Sequence, residues 1–163
     1  MDSVFSFPNP VNEVSARLVA AGVVILSAAA IALDQSWLVA VIAYGFVARV
    51  LSGPTLSPLG QLVTRGITPR LPLAERPVPG PPKRFAQGIG ATLSVTAAVL
   101  TLGLGLRTAG YAVLGAIIVA ATLESVVGLC IGCRLFALLM RAGVIPSEVC
   151  ETCRLEARAV AGR

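Results

Sequence analysis

The chain has no histidine and few charged residues. Of its 163 residues, 13% are charged, 5% are aromatic and 56% are apolar. Soluble globular domains carry about 25% charged residues, so this composition excludes an ordinary soluble domain. Without histidine, a tetrahedral metal site could be built only from thiolates. The missing histidine and the lack of any nucleotide-binding motif argue against a self-contained metalloenzyme or an ATPase.

The few basic residues outnumber the acidic ones and give a formal net charge of +5. They avoid the apolar runs and gather at their ends, which is how a protein meets anionic lipid headgroups. No aromatic residues interleave with them to form a platform on which bases could stack. The charge therefore predicts a lipid bilayer as the partner and not a nucleic acid.

Four apolar runs predict four transmembrane helices, at about 14–33, 36–52, 85–106 and 109–130, since about 20 apolar residues cross a bilayer core. Asn12 is the expected N-cap of the first helix. The second run is the shortest. Arg49, near its end, is expected to reach the headgroups by snorkelling. The predicted fold is an all-α membrane protein, a four-transmembrane-helix bundle in one domain over residues 1–163.

Residues 53–84, between the second and third spans, form a basic, proline-rich stretch. Leu59–Ile67 is predicted to form a short interfacial helix, because its apolar residues recur at helical spacing. The rest, up to Pro82, is predicted to be a polyproline-like loop. Within the later spans, the small residues Gly90 and Ser94, and the row Ala112, Ala116 and Ala120, predict close helix–helix contacts.

Basic residues also predict the orientation. The 53–84 loop and the C-terminal segment 130–163 hold most of them, whereas the opposite side has only Arg107, set against Asp34. The positive-inside rule then places both termini, the long loop and the C-terminal segment in the cytoplasm of a multi-pass inner (plasma) membrane protein. A homo-oligomer is compatible with the same spans.

All four cysteines follow the fourth span, as Cys130 and Cys133, then sixteen residues, then Cys150 and Cys153. Two interpretations compete. In one, CxxC-x16-CxxC closes around zinc as a four-cysteine site. In the other, the pairs are dithiols that cycle through disulfides, persulfides or mixed disulfides. A static structural disulfide is the least favoured, because the cytoplasm keeps thiols reduced.

The local context favours thiol chemistry. Cys130 and Cys133 end an apolar helix that is expected to continue through residues 134–140, and residues three apart share one helix face. If Ser147 caps a further helix, Cys150 lies in its first turn, where free amides stabilise a thiolate.

Glu124 is an acidic residue inside the fourth span, which by itself makes it a candidate functional residue. The alternative is a residue near the cytoplasmic interface that pairs with Arg134 or Arg49. It precedes Cys130 by six residues, about 9 Å along a helix and on a different face, so direct proton exchange with that thiol is not expected.

Several short motifs occur together in the chain: Phe7-Pro8-Asn9-Pro10-Val11-Asn12-Glu13, Gly53-Pro54 with Ser57-Pro58, Pro81-Pro82-Lys83-Arg84-Phe85-Ala86-Gln87-Gly88, Leu129-Cys130-Ile131-Gly132-Cys133 and Cys150-Glu151-Thr152-Cys153. With them the chain resembles an uncharacterised bacterial membrane family, domain of unknown function 4395, over nearly its whole length. The resemblance implies a multi-span membrane protein that works beside thioredoxin-like or sulfur-transfer proteins.

The predicted function is a membrane-embedded thiol–disulfide or sulfur-relay partner with two cytoplasmic CxxC pairs. Cys130 and Cys133 form the membrane-proximal pair, and Cys150 and Cys153 meet a soluble thioredoxin-like or sulfurtransferase partner. One alternative is a structural scaffold in which the four cysteines bind zinc. Another is a small-solute carrier or channel with Glu124 in its path. No cofactor is required outside the zinc alternative, and whether the chain is an enzyme is left open.

Overall fold

The computed structural model describes residues 7–150 and Cys153, and within them the chain is mostly helical. The helices are α1 (Glu13–Ala32), α2 (Ser36–Ser52), α3 (Pro58–Gln61), α4 (Gly80–Ala98), α5 (Arg107–Thr122) and α6 (Ile131–Arg141). Turns of π type extend α3 over Leu62–Ile67, α4 over Val99–Gly103 and α5 over Leu123–Val127, and 3₁₀ turns cover Thr68–Arg70 and Ser147–Cys150. Two short strands, β1 (Val11–Asn12) and β2 (Pro77–Val78), pair antiparallel.

Three helices are long and apolar enough to cross a membrane. They are Glu13–Ala32, Gly80–Gly103 and Arg107–Val127, with 20, 24 and 21 residues. The helix over Ser36–Ser52 is apolar but has only 17 residues. At 1.5 Å per residue such a helix is about 26 Å long, slightly less than a typical hydrocarbon core of about 30 Å. The structure therefore supports a membrane protein with three candidate spans.

The outer surface of the bundle is apolar, as the membrane prediction requires. No more than 33% of the most apolar window of any candidate span is buried inside the protein. Large apolar side chains such as Ile25, Val119 and Val126 are exposed on the long helices. In water such a surface would be a strong aggregation liability, whereas lipid tails cover it without cost.

The first span begins as predicted, and the third begins earlier. The side-chain oxygen of Asn12 accepts a hydrogen bond from the amide of Val14 at 3.0 Å, so the predicted N-cap is confirmed. Helix α4 starts at Gly80, not at residue 85, and takes in Pro81 and Pro82. Proline fits the first turn of a helix because the amide it lacks has no partner there. The predicted loop thus ends before these prolines.

Residues 58–70 are helical, as predicted for Leu59–Ile67, but this segment packs into the bundle on one side. Val63 is fully buried and Leu59 packs against the core, whereas Leu62 is exposed. Residues 71–76 follow without regular structure, up to the β1–β2 pair.

Helix packing depends on small residues at the points of closest approach. The ring of Phe46 in α2 lies against Gly90 in α4, and Gly110 in α5 lies against Thr101 and the carbonyl of Ala97. Gly90 and Ser94 are buried, so that predicted contact is confirmed. The predicted contact along Ala112, Ala116 and Ala120 is wrong within the chain, because α5 packs through Gly110, Leu114, Ile117 and Ala121 instead.

The two ends of the bundle differ. At one end, Arg107 forms an exposed ion pair with Asp34 at 2.7 Å, and the hydroxyl of Tyr111 donates to the same carboxylate at 2.8 Å. These are the groups that the sequence places on the side opposite the long loop. The other end contains the loop, the start of α4 and the cysteines.

Replacing Gly90 with alanine tests the α2–α4 contact. A methyl group there would overlap the Phe46 ring, so we expect Gly90→Ala to destabilise the protein by about 1–3 kcal/mol. The free energy of unfolding in detergent measures this. The matched control is Gly88→Ala on the same helix, where no atom lies within 4 Å of the added carbon and alanine favours the helix. Equal destabilisation of both variants would contradict this packing.

Candidate functional site: a dithiol beside a buried ion pair

The chain leaves its last long helix just before the first cysteine pair. Gly128 adopts a left-handed conformation with φ +74°, and its amide donates to the carbonyl of Glu124 at 3.1 Å. The amide of Leu129 donates to the carbonyl of Leu123 at 3.0 Å. This is how glycine ends a helix, because the left-handed region costs it no strain. The predicted continuation of the span through residue 130 is therefore wrong, and the helix ends at Val127.

Cys130 instead begins a new helix. It is the N-cap residue of α6, and the amide of Cys133 donates to its sulfur at 3.4 Å. The Sγ atoms of Cys130 and Cys133 lie 2.6 Å apart, and both cysteines are free thiols. Helix α6 confirms the helix predicted for residues 134–140. The pair is thus positioned to form an intramolecular disulfide at a helix N-terminus.

The two thiols, which lie outside the candidate spans, are not equivalent. The hydrogen bond from the Cys133 thiol lowers the pKa of Cys130; burial and the charge of Glu124 oppose this, while Lys83 and the Cys133 amide add to it. The same thiol–thiol hydrogen bond raises the pKa of Cys133, and burial raises it further. The two shifts together favour the thiolate on Cys130 and the proton on Cys133.

Glu124 pairs with a residue that the sequence analysis did not select. Its Oε1 atom lies 2.7 Å from Nζ of Lys83, and the two side chains are 17% and 11% exposed. The predicted partner Arg134 is exposed. The early start of α4 explains the difference, because it places Lys83 in the first turns of a helix that packs against both α5 and α6.

Lys83 lies close enough to both free thiols for its charge to act on them, as does Glu124. The expected separation of Glu124 from Cys130 was that of two residues on one unbroken helix. Because the helix ends before Gly128, that separation does not apply. The ion pair and the dithiol therefore form one electrostatic cluster. The early helix start at Pro81-Pro82 is the sequence signal that could have identified Lys83.

Arg49 lies inside the protein and does not snorkel. It is 5% exposed, and its Nε donates to the side chain of Gln87 at 3.0 Å. Its Nη1 donates to the hydroxyl of Ser57 at 3.1 Å, and the guanidinium stacks 4.5 Å from the centre of the Phe46 ring. Arg49 and the Lys83–Glu124 pair thus form a buried polar layer at the end of the bundle that contains the cysteines.

The second cysteine pair is oxidised in the structure. Cys150 and Cys153 form a disulfide with a Cα–Cα distance of 5.3 Å. The amide of Cys153 donates to the sulfur of Cys150 at 3.3 Å, so this pair has the same local geometry as the first. A 3₁₀ turn over Ser147–Cys150 takes the place of the helix start predicted at Ser147.

The second pair lies on a segment that returns to the helices. Val149 borders a cavity of about 410 Å³ together with Phe85 of α4 and Phe136 of α6. The C-terminal segment was predicted over residues 130–163. Its residues 151, 152 and 154–163, which include Arg154, Arg158 and Arg163, lie outside the described residues.

The cysteines are paired locally. Across residues 7–150 and Cys153, no three side chains of the Cys, Asp, Glu or His type converge as ligands for one metal ion. The four-cysteine zinc site is therefore not preformed in this geometry.

Comparison with known proteins identifies one family. The model of a family described as domain of unknown function (DUF4395) matches residues 11–141. No curated protein and no solved structure matches the chain. The matched range contains Lys83, Glu124 and the Cys130–Cys133 pair, whereas the second pair lies beyond it.

Neutral substitutions of Lys83 and Glu124, made one at a time, test the electrostatic cluster. Lys83 stabilises the Cys130 thiolate and Glu124 opposes it, so we expect Lys83→Gln to raise the pKa of Cys130 and Glu124→Gln to lower it. The pH dependence of Cys130 alkylation measures both. At pH 7 the reaction should slow in Lys83→Gln and accelerate in Glu124→Gln.

The matched control is Arg107→Gln, which removes an exposed ion-paired cation at the opposite end of the bundle. It should leave the alkylation profile unchanged. Shifts of the same sign in the Lys83 and Glu124 variants would contradict the cluster.

Proposed function

This chain belongs to the family described as domain of unknown function (DUF4395), and we propose that it acts as a membrane-embedded thiol–disulfide or sulfur-relay protein. The observation that carries the proposal is Cys130 at the N-cap of α6, 2.6 Å from the sulfur of Cys133 and within the field of Lys83. A thiolate that is stabilised by a helix N-terminus and a cation, next to a second thiol, is the arrangement that dithiol exchange requires.

In the proposed reaction, the Cys130 thiolate attacks one sulfur of a partner's disulfide. A mixed disulfide forms, and the partner's other sulfur leaves as a thiolate. Cys133 then gives its proton to that thiolate and attacks Cys130 Sγ, which forms the Cys130–Cys133 disulfide and releases the second partner sulfur. The partner gains two electrons and the chain loses two.

Sulfur relay uses the same attacking atom. Cys130 accepts the outer sulfur of a partner persulfide and becomes a persulfide itself, while the partner leaves as a thiolate. This transfer needs only the low-pKa thiol. Attack of Cys133 on Cys130 Sγ then forms the Cys130–Cys133 disulfide and releases the outer sulfur as hydrosulfide, so that the two cysteines are oxidised and the transferred sulfur is reduced.

The second pair completes the proposed relay. The structure combines a free Cys130–Cys133 dithiol with an oxidised Cys150–Cys153 pair. Exchange between them would oxidise the first pair and reduce the second, with no other reactant. We assign the second pair to a soluble thioredoxin-like or sulfurtransferase partner, since it lies on the segment that follows the helices.

For the membrane arrangement, we propose four spans, which are the three long helices and the shorter helix Ser36–Ser52. Both termini, the 53–84 loop and all four cysteines then lie on the cytoplasmic side of the inner membrane. The clustering of Arg17, Arg49, Lys83 and Arg84 at one end of the helices supports this, as does the neutral Asp34–Arg107 pair at the other.

Intact-mass spectrometry of the anaerobically purified protein tests the proposed function. Thiols are alkylated before and after a mild reductant, and zinc is measured on the same sample. We expect no zinc and two to four thiols that switch reversibly between free, disulfide and persulfide forms. One zinc per chain with four protected thiols would replace the redox proposal with a structural cysteine cluster.

Cysteine accessibility tests the membrane arrangement. The background is a variant in which all four native cysteines are replaced by serine. With Asp34→Cys added, the protein should react with a membrane-impermeant maleimide on intact cells. With Glu75→Cys added instead, it should react only after the membrane is opened. Labelling of both variants on intact cells, or of the Glu75 variant alone, would contradict the proposed orientation.

A further inference from the structure

A cavity of about 490 Å³ lies at the same end of the bundle as the dithiol. It is bordered by residues 7–12, the first turns of α1 and α4 and the end of α2. The helical segment over residues 58–70 and the irregular residues 71–75 complete its lining. Its polar lining includes Asn12, Ser15, Arg49, Thr64, Lys83 and Gln87, and Glu75 lines it as an exposed residue. Cys130 and Cys133 do not line it, so the thiol chemistry does not account for it.

Arg49 gives this cavity a fixed, positively charged wall. Gln87 and Ser57 each accept one N–H from its guanidinium, and Phe46 supports its face. A guanidinium carries five N–H groups, so three remain without a partner in the described part of the chain. No carboxylate among the described residues lies within 4.0 Å of it, since Glu124 pairs with Lys83.

A buried guanidinium without an ion-pair partner is costly unless an anion reaches it. Lys83 also lines the cavity, but Glu124 offsets its charge, so Arg49 is the uncompensated cation of the lining; Glu75 is exposed at the edge. The electrostatics of the inner wall therefore favour an oxyanion.

The rest of the lining is largely apolar. It is formed by proline, valine, leucine and phenylalanine side chains, among them Val19, Pro54 and Leu71. A free phosphate-sized ion would fill only a small part of 490 Å³. Cavities of this size, mostly apolar with a few converging polar groups, fit an organic ligand.

We infer that this cavity binds a phosphate-type oxyanion carried on an apolar body, with the oxyanion held by Arg49 and Lys83. An anionic phospholipid and a free phosphate compound share this head-group chemistry. The inference goes beyond the proposed thiol function, because binding can be measured when no cysteine reacts.

The test uses the full chain in detergent, with binding followed by titration calorimetry. The probes are dihexanoyl phosphatidic acid, inorganic phosphate and dihexanoyl phosphatidylcholine. We expect one phosphatidic acid to bind per chain, at least about tenfold tighter than phosphatidylcholine, because the fork of Arg49 bonds a doubly charged head more strongly. Inorganic phosphate that binds as tightly as phosphatidic acid would show that the apolar body contributes nothing and would overturn that part of the inference in favour of a free phosphate compound. Absence of binding by both anions, or equal binding of phosphatidylcholine, would overturn the inference.

Variants locate the site. Arg49→Lys keeps the charge but loses the planar fork, and it should weaken phosphatidic acid binding about tenfold. The matched control is Arg70→Gln, which removes a cation next to the cavity lining without touching it, and should leave affinity unchanged. Equal losses in both would show non-specific charge attraction and overturn the site.

Ala16→Leu keeps the inference testable if substitution of Arg49 disturbs folding. Ala16 lines the cavity, so a larger side chain there should reduce binding while all cations remain. Unchanged binding in this variant would overturn the cavity as the site. In the unmodified chain, saturating phosphatidic acid should slow Cys130 alkylation, because an anion on Lys83 opposes the nearby thiolate. An unchanged rate would exclude Lys83 from the anion site.

Discussion

The ion pair between Lys83 and Glu124 is the interaction on which this end of the molecule depends. Both side chains are largely buried, and burying a single charge costs far more than burying a pair. The pair therefore ties the first turns of α4 to the end of α5. Helix α4 also packs against α6, so the ion pair lies beside the helix that carries the first cysteine pair. The charges of this ion pair act on both thiols of the first cysteine pair, so the electrostatics of that pair depend on it.

The break at Gly128 gives the dithiol its geometry. In a continuous helix, Cys130 and Cys133 would lie on one face, and their amides would donate hydrogen bonds to carbonyls of the preceding turn. After the break, Cys130 is an N-cap residue, and a free amide of the new helix points at its sulfur. The thiol–thiol hydrogen bond, with a smaller contribution from this amide, lowers the pKa of Cys130, and the same bond raises the pKa of Cys133. The second pair repeats the amide–sulfur contact, which makes the two pairs chemically comparable.

The bundle itself is arranged for an apolar surrounding. Small residues allow the helices to approach at Gly90 and Gly110, while large apolar side chains point outward. Polar contacts are concentrated at the two ends, as lipid requires. The end with the cysteines also contains Arg49 and the large cavity, so the proposed binding site and the dithiol adjoin at Lys83.

The sequence by itself determined the membrane character, the helical class, the cap at Asn12, the contact at Gly90 and Ser94, and the four cysteines as two CxxC pairs. These follow from composition and local spacing, which act over a few residues. The partner of Glu124, the burial of Arg49 and the exposure of Ala112 and Ala116 were decided only by the tertiary structure. Each depends on which helix faces which, and an apolar run carries no record of its neighbour. The start of α4 at Gly80 and the end of α5 at Val127 are intermediate cases, since the prolines and Gly128 signal them locally. Their effect on Lys83 and Cys130 appears only when helices α4, α5 and α6 pack together.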